Sequence, residues 1–165
     1  MATNPIHGAW ILVSFDLHLA ADPTSPPILQ PLGPNPLGSI LFSPTGYMSC
    51  TLTSREAAAP LKSPSWVLAD DDEIIRAARR MTTYCGYYDV YEENGEKRLS
   101  THVDIALDPN WIGKAQVRKW EVLEQGGRTV LVLRPVQELV LPDGTKTLGR
   151  LVWERSKGRE RAGRI

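Results

Sequence analysis

The sequence has few of the features that mark disulfide-stapled, membrane-spanning or nucleic-acid-binding proteins. Only two of its 165 residues are cysteines, Cys50 and Cys85, which is too few for a disulfide framework and lacks the spacing of a metal site. Its 19 acidic and 19 basic residues cancel, so nothing favours long-range attraction to phosphate backbones. No apolar run reaches the length of a membrane helix. These absences predict a soluble protein with free thiols, no membrane span and no nucleic-acid partner.

The chain length and the two ends of the sequence set the expected domain organisation. A chain of 165 residues fits one domain with a core of ordinary size. The N-terminus lacks the basic stretch and apolar run of a signal peptide, which predicts a cytoplasmic location. Residues 157–165 are polar and show no apolar period. We therefore expect one domain over residues 1–156, followed by a flexible C-terminal tail.

Most of the chain consists of short runs of β-branched, aliphatic and aromatic residues separated by turn residues, a pattern typical of all-β sandwiches and barrels. The first run extends from Gly8 to His18. A proline-rich segment over residues 22–36 then predicts a long extended loop. Turn residues at 43–46, 93–95, 126–127 and 142–144 predict four hairpins. Together these features predict an all-β fold of about eight or nine antiparallel strands.

One segment, near residues 70–83, has helical periodicity. Acidic residues at its start and arginines toward its end suit the helix dipole, and its apolar residues recur at helical spacing. A single amphipathic helix in a β-rich chain must lay its apolar stripe on the sheet, so we expect it to form a plug or lid. Closing the sheet into a barrel removes exposed edges and leaves room inside for side chains or one small ligand.

Seven short motifs, spread over most of the chain, carry a resemblance to a known family. They are residues 8–15 (GAWILVSF), 46–49 (GYMS), 84–88 (YCGYY), 101–103 (THV), 109–113 (PNWIG), 116–120 (QVRKW) and 151–155 (LVWER). In this order they resemble the small lipocalin-like domain proteins of fungi and bacteria. The resemblance implies a lipocalin-like β-barrel. Fungal members of this type accompany secondary-metabolite pathways, where they are similar to cofactor-free cyclases, isomerases or pericyclases acting on polyketide or terpenoid intermediates.

Polar side chains on otherwise apolar strands are the candidates for chemistry, because a few such groups orient a ligand in a pocket. His102 and Asp104 share one face of a strand, where an imidazole beside a carboxylate would act as general acid or base. The same alternation also allows both side chains to face water, and the resemblance favours an inward His102. Tyr47 and Tyr87 are the phenols that we expect to donate hydrogen bonds to a bound carbonyl group.

Arg118 is the candidate for stabilising negative charge. A guanidinium inside a barrel would bind a substrate carboxylate or an enolate as it develops. A buried arginine needs a partner, so the alternative is a structural ion pair with Glu121, Glu154 or Asp104 that pins the end of the barrel. The sequence leaves both hypotheses open.

Aromatic side chains provide the expected walls of a binding site. Flat indole and phenol rings suit a polyene or a fused-ring ligand, although aromatic residues on strands are commonly core residues. We expect both cysteines to be core fillers, and Trp111 and Arg155 to have structural roles. The predicted substrate-binding residues are Trp10, Tyr88, Asp104, Trp120 and Trp153.

The leading functional hypothesis is a cofactor-independent isomerase or cyclase that folds a reactive apolar intermediate inside the barrel. The absence of a phosphate loop, a dinucleotide fingerprint and zinc-ligand spacing predicts that no cofactor or metal is needed. The alternatives are a non-catalytic carrier of a small hydrophobic molecule and an interaction module that uses the proline-rich segment 22–36. The charge balance permits either a monomer or a homodimer.

Overall fold

The computed structural model describes residues 4–158, and its strands form one antiparallel sheet. Seven successive strands pair in order, the last long strand pairs with both the seventh and the first, and the sheet therefore closes into an eight-stranded barrel. A ninth, very short strand is added outside the barrel. The predicted lipocalin-like β-barrel is confirmed. The strands are β1 (Gly8–Leu19), β2 (Leu37–Phe42), β3 (Tyr47–Thr53), β4 (Met81–Glu93), β5 (Glu96–Ala106), β6 (Ala115–Gln125), β7 (Arg128–Pro135), β8 (Leu139–Val140) and β9 (Lys146–Arg155).

Three of the four predicted hairpins join barrel strands, and the fourth is reduced. The run over residues 136–141 forms only the two-residue strand β8, which pairs with the first two residues of β9. Beyond these two residues, β9 pairs with β1 on one side and with β7 on the other. A longer β8 would therefore find no free edge of β9 to pair with. The predicted tail over residues 157–165 lies outside the described residues apart from its first two.

The connections at the two ends of the barrel differ in length. One end, called the turn end, carries the short turns at residues 43–46, 94–95 and 126–127, together with the N-terminal residues 4–7. The other end, called the loop end, carries the long connections 20–36, 54–80, 107–114 and 136–145. No helix among the described residues combines the length and the hydropathy needed to cross a bilayer.

The proline-rich connection is folded onto the barrel. Leu17 and Leu29 form a β-bridge, and the Gln30 side-chain amide donates a hydrogen bond to the Asp16 carboxylate at 2.9 Å. Leu32 is buried in the main core cluster. These contacts fix the segment beside β1, so its prolines extend the chain without leaving it detached.

The predicted helix is present but shorter than expected. Helix α1 covers Asp71–Arg79, and the Asp70 carboxylate caps it by accepting a hydrogen bond from the Glu73 backbone N–H at 2.9 Å. The helix ends at Arg79 and not near residue 83, because residues 81–83 begin β4 and pair with β3, where threonines fit the pleated surface. No residue of α1 is fully buried, so the helix does not plug the barrel.

Two bulges change the phase of the strands. In β1 the register shifts between Leu12 and Ser14, so even-numbered residues face inward before the bulge and odd-numbered residues after it. In β5 the extra residue is Asp104, because Gly86 pairs with Val103 and the preceding residue of β4 pairs with Ile105. As a result both Asp104 and Ile105 face outward.

Two 3-10 helices complete the loop end. One covers Trp66–Leu68 and the other covers Pro109–Trp111. The second begins with a proline, which lacks a backbone N–H and is tolerated in the first turn, and the Asp108 carboxylate caps it by accepting from the Asn110 N–H at 2.9 Å. This turn brings Trp111 back over the barrel.

Candidate functional site

The half of the barrel interior nearer the turn end is filled with side chains. Trp10, Phe42 and Trp153 are almost completely buried, and the ring of Phe42 packs edge-on against that of Tyr88 at 5.1 Å between centroids. The Tyr88 hydroxyl donates to the Ser43 carbonyl at 2.8 Å. Because these side chains interdigitate as in an ordinary core, this half of the barrel is a packed base.

Toward the loop end, inward-facing side chains keep partial contact with solvent. Phe15, Gln116 and Arg118 lie on the inner face of the barrel wall, and each is only half-buried. Trp111 closes over the same region and packs edge-on against Tyr84, with 5.3 Å between ring centroids. These inward-facing, partly accessible groups are the ones that a small molecule entering from the loop end would contact first.

Arg118 is the centre of this region. Its neighbours in the sheet are Leu99 and Pro135, and its guanidinium lies close enough to Tyr84 and Cys50 to affect the pKa of each. Burial raises the pKa of Tyr84 above its ordinary value, and the positive charge of Arg118 offsets part of that shift. At neutral pH the phenol is therefore protonated and able to donate a hydrogen bond.

The guanidinium of Arg118 has no carboxylate partner among residues 4–158. Within the described residues its Nη1 donates to the carbonyl of the adjacent Val117 at 3.1 Å. The carboxylates that the sequence suggested as partners are engaged elsewhere or face away. Glu121 pairs with an arginine of β7 at 2.6 Å, Glu154 pairs with another at 3.1 Å, and Asp104 is exposed on the outer face. The interior therefore holds a positive charge with spare donors.

The predicted aromatic walls all face inward, at different depths. Trp10 lies at the turn end under the Arg155 guanidinium, which sits 4.1 Å from its ring centroid. The indole N–H of Trp120 donates to the Arg98 carbonyl at 3.1 Å. By contrast, the buried indole N–H of Trp153 has no hydrogen-bond partner among residues 4–158. Because Trp153 lies in the packed base, it is placed in the core and not in the candidate site.

Four of the predicted site residues lie on the outer face of the barrel. The rings of Tyr47 and Tyr87 pack edge-on with 4.9 Å between centroids, and Tyr87 pairs across the sheet with His102. His102 and Asp104 are both exposed. Since their side chains point away from the interior, these four residues do not contact a molecule held there. The catalytic roles predicted for Tyr47, Tyr87 and His102 and the substrate-binding role predicted for Asp104 stay predictions and do not enter the site described here.

The outward cluster has its own electrostatics. The Tyr47 hydroxyl donates to the thiol of Cys85, with 3.5 Å between Oη and Sγ. This hydrogen bond raises the pKa of Tyr47, and burial and the nearby Asp104 carboxylate add to the shift. Tyr47 is thereby held in its neutral form at physiological pH.

A separate cavity of about 640 Å³ opens at the turn end. Arg155 lines it, but this guanidinium already donates to the carbonyls of His7 and Pro5 at 2.8 and 2.6 Å. These two hydrogen bonds and the stacking of the guanidinium on Trp10 fasten the N-terminal segment to the barrel. Arg118 lies toward the other end of the interior, where its hydrogen bond within the described residues goes only to the adjacent Val117, and we place the candidate site there. No group of three His, Cys, Asp or Glu side chains among residues 4–158 is arranged to hold a metal ion.

Several residues of the candidate site were missed or undervalued from sequence. Tyr84 and Gln116 are absent from the site residues predicted from sequence, and Trp111 is predicted to have only a structural role. The signal that would have found them is strand phase. Tyr84 and Cys50 are directly paired across β3 and β4, and side chains of paired residues lie on the same face.

The two cysteines are expected to differ sharply in reactivity. Burial raises the pKa of Cys50 to about 12, although the nearby Arg118 lowers it somewhat, which leaves a thiolate fraction about a thousandfold below that of an ordinary thiol. Cys85 is half-buried on the outer face. An aromatic disulfide reagent at mildly alkaline pH is expected to modify one thiol per folded chain and two after unfolding. The fast thiol is expected to be absent in Cys85→Ser and kept in Cys50→Ala; the reverse pattern would contradict the inward placement of Cys50.

Comparison with known protein families matches residues 7–156 to a family described as a lipocalin-like domain. This match spans every strand of the barrel. No curated protein sequence matches the chain.

Proposed function

Because the chain belongs to the lipocalin-like domain family, we propose that it binds a small, mostly apolar molecule that carries one acidic or strongly polarised oxygen, held inside the loop-end half of the barrel. The oxygen would accept hydrogen bonds from Arg118 and Tyr84. The apolar body would lie among Phe15, Leu52 and Leu133, whose side chains belong to the core cluster or pack against it.

The observation that carries this proposal is the unpartnered guanidinium of Arg118. Arg118 is half-buried on the inner face of the barrel wall, so it presents a positive charge and unused N–H donors to an otherwise apolar interior. All six ion pairs among residues 4–158 leave Arg118 out. A ligand anion or enolate would supply the missing partner, and a hydrogen bond assisted by charge is among the stronger polar contacts in proteins.

A pair of matched dyes tests the binding proposal. Anilinonaphthalene sulfonate and phenylnaphthylamine share an apolar body, but only the first carries a negative charge. We expect Arg118→Met to weaken binding of the sulfonate about tenfold, the loss of one charge-assisted contact, while binding of the uncharged amine is retained. Fluorescence titration measures both affinities.

The matched control removes a positive charge from the outer wall. Arg134 lies on the outer face of β7, where it pairs with Glu121 at 2.6 Å, so Arg134→Met is expected to leave both dye affinities unchanged. If Arg118→Met and Arg134→Met weakened the sulfonate equally, the effect would reflect the overall charge and the proposed site would be wrong.

We also propose a catalytic role, in which the barrel promotes cyclisation of the bound molecule without a cofactor. The polar groups around Arg118 are donors, and none of the inward-facing groups named above is a carboxylate or an imidazole. This composition supports activation of a carbonyl by hydrogen bonding, followed by a ring closure that needs no proton removal, more than it supports a base-driven isomerisation. A polyketide or terpenoid chain has the required carbonyl and apolar body.

Native mass spectrometry of the purified protein, followed by denaturing extraction, distinguishes a cyclase from a protein that only carries its ligand. An open-chain passenger that is converted to an isomeric ring by fresh protein, and more slowly by Arg118→Met, supports cyclisation. A passenger that is bound but unchanged leaves the binding proposal standing and removes the catalytic one.

A further inference from the structure

Apolar side chains are exposed on every long connection at the loop end of the barrel. The turns at the opposite end contain only serine, proline, threonine, asparagine and glycine. Isolated exposed apolar residues are ordinary, but several around one end of a molecule mark a surface that meets something apolar. The exposed apolar side chains of the loop end include Ile28, Trp66, Val67, Leu68, Ile112 and Val140.

The most prominent part of this surface is the 3-10 helix Trp66–Leu68, called the apolar tip. Val67 is 89% exposed and Leu68 is 67% exposed, and no residue of this turn is buried. The surrounding residues 63–69 carry no charge. Insertion of this segment into an apolar medium would therefore require no charged side chain to lose its water.

The apolar tip is held in place by helix α1. The Glu73 carboxylate accepts from the backbone N–H of Lys62 and from the N–H and hydroxyl of Ser63, the last at 2.6 Å. Arg76 donates to the carbonyls of Glu56 and Ala57 at 3.0 and 3.3 Å. These hydrogen bonds attach residues 56–63, which precede the tip, to helix α1. The exposure of the tip is therefore a property of a fixed element.

We propose that the loop end docks on a zwitterionic lipid surface, with the apolar tip inserted at the boundary between headgroups and acyl chains. Tryptophan favours that boundary because its ring is apolar and its N–H is polar. The connection 54–80 contains five basic and five acidic residues, so charge provides no attraction to anionic lipid in particular. A flat lipid surface also contacts several loops at once, whereas a peptide partner requires a groove.

Docking in this orientation places the accessible part of the barrel interior against the bilayer. An apolar molecule dissolved in the membrane would then reach the Arg118 region without crossing water. This delivery of a ligand rests on the proposed function. The docking itself rests on the exposed apolar side chains of the loops and on the lack of net positive charge there, because the four connections together contain six basic and nine acidic residues.

The test measures partition of the full chain onto phosphatidylcholine vesicles by flotation. We expect the double variant Val67→Asp with Leu68→Asp to reduce the partition coefficient by about tenfold or more, because two apolar side chains leave the bilayer. The control is Val13→Asp with Leu41→Asp, which adds the same charge at two exposed apolar residues of the barrel wall. Val13 and Leu41 are 47% and 51% exposed, and this control is expected to float like the unmodified protein.

Several results would overturn the proposal. The first is that the protein does not float with phosphatidylcholine vesicles alone, and the second is that it floats only when phosphatidylserine is present. The third is that the tip variant and the wall control lose the same factor in partition coefficient. A dimer in sedimentation that the tip variant dissociates, with no flotation, would assign the tip to a second copy of the chain. Titration of the tip variant with anilinonaphthalene sulfonate keeps the two proposals apart. If the tip variant still binds the dye but no longer floats, docking is supported as a property separate from ligand binding. If it no longer binds the dye, the two substitutions have damaged the barrel. The flotation test is then repeated with the milder variant Val67→Ser.

Discussion

Replacement of Gly86 by alanine is expected to destabilise the protein by about 3 kcal/mol or more, the upper range of overpacking in a core. A Cβ atom built on Gly86 would lie 1.8 Å from the carbonyl oxygen of His102 and 3.0 Å from the Cα of Val103. Both are backbone atoms, so no side chain can rotate away to make room. The strands would have to separate at the β5 bulge, where Gly86 pairs with Val103. Urea unfolding followed by circular dichroism measures the loss.

The control for this prediction is Gly149→Ala in β9. A Cβ atom there would lie 3.4 Å from Phe15 and from Pro135, which is ordinary contact, and the backbone of Gly149 is not left-handed. We therefore expect a change near zero, since alanine also restricts the unfolded chain. A similar small change for Gly86→Ala would mean that the β5 bulge does not have the close approach described above.

Removal of the Trp10 side chain is expected to cost about 3 to 5 kcal/mol, as for other buried large aromatic residues replaced by alanine. Trp10 is fully buried, its indole N–H donates to the Ile6 carbonyl at 2.8 Å, and Arg155 stacks on its ring. Trp10→Ala therefore opens a cavity at the turn end and loosens the N-terminal segment at the same time. The free energy of unfolding in urea is again the measurement.

Trp10→Phe distinguishes the contribution of the buried ring to the free energy of unfolding from that of the indole hydrogen bond. Trp10→Phe keeps an aromatic ring beneath Arg155 but loses the bond to Ile6, so a cost of about 1 to 2 kcal/mol is expected from one buried acceptor left unpaired and a small volume change. If Trp10→Ala cost less than about 1 kcal/mol, the N-terminal residues would not belong to the cooperative core.

The apolar runs and the turn residues of the sequence predicted the architecture well, because both are properties of short stretches of the chain. The turns at residues 43–46, 94–95 and 126–127 contain glycines with positive φ, at Gly46, Gly95, Gly126 and Gly127, and glycine is favoured at such positions. These turns make consecutive strands antiparallel neighbours in the sheet. Closure of eight such strands into a barrel removes the exposed edges of the sheet. The helix was predicted for similar reasons, although its end was placed four residues too late.

The candidate site was predicted only in part, because it depends on which face of each strand points inward. Arg118 and Trp120 are both among the site residues predicted from sequence, and both face inward. The choice of His102 and Tyr87 over Tyr84 depended on strand phase, which alternation leaves open when apolar residues occur on both faces. In β4 and β5 the inward set includes Tyr84, Thr101 and Val103, which are buried.

By itself the sequence determined the fold class, the strand order along the chain, the single helix and the free thiols, since each follows from local periodicity, turn chemistry or composition. Only the tertiary structure decided the phase of β1 and β5, because a bulge inserts one residue at a point that no local pattern marks. It also decided that Glu121 and Glu154 pair with arginines on the outer wall, which leaves Arg118 without a carboxylate partner in the part of the chain that the structure describes. Which charges meet depends on register across the sheet, and register is a property of the closed barrel.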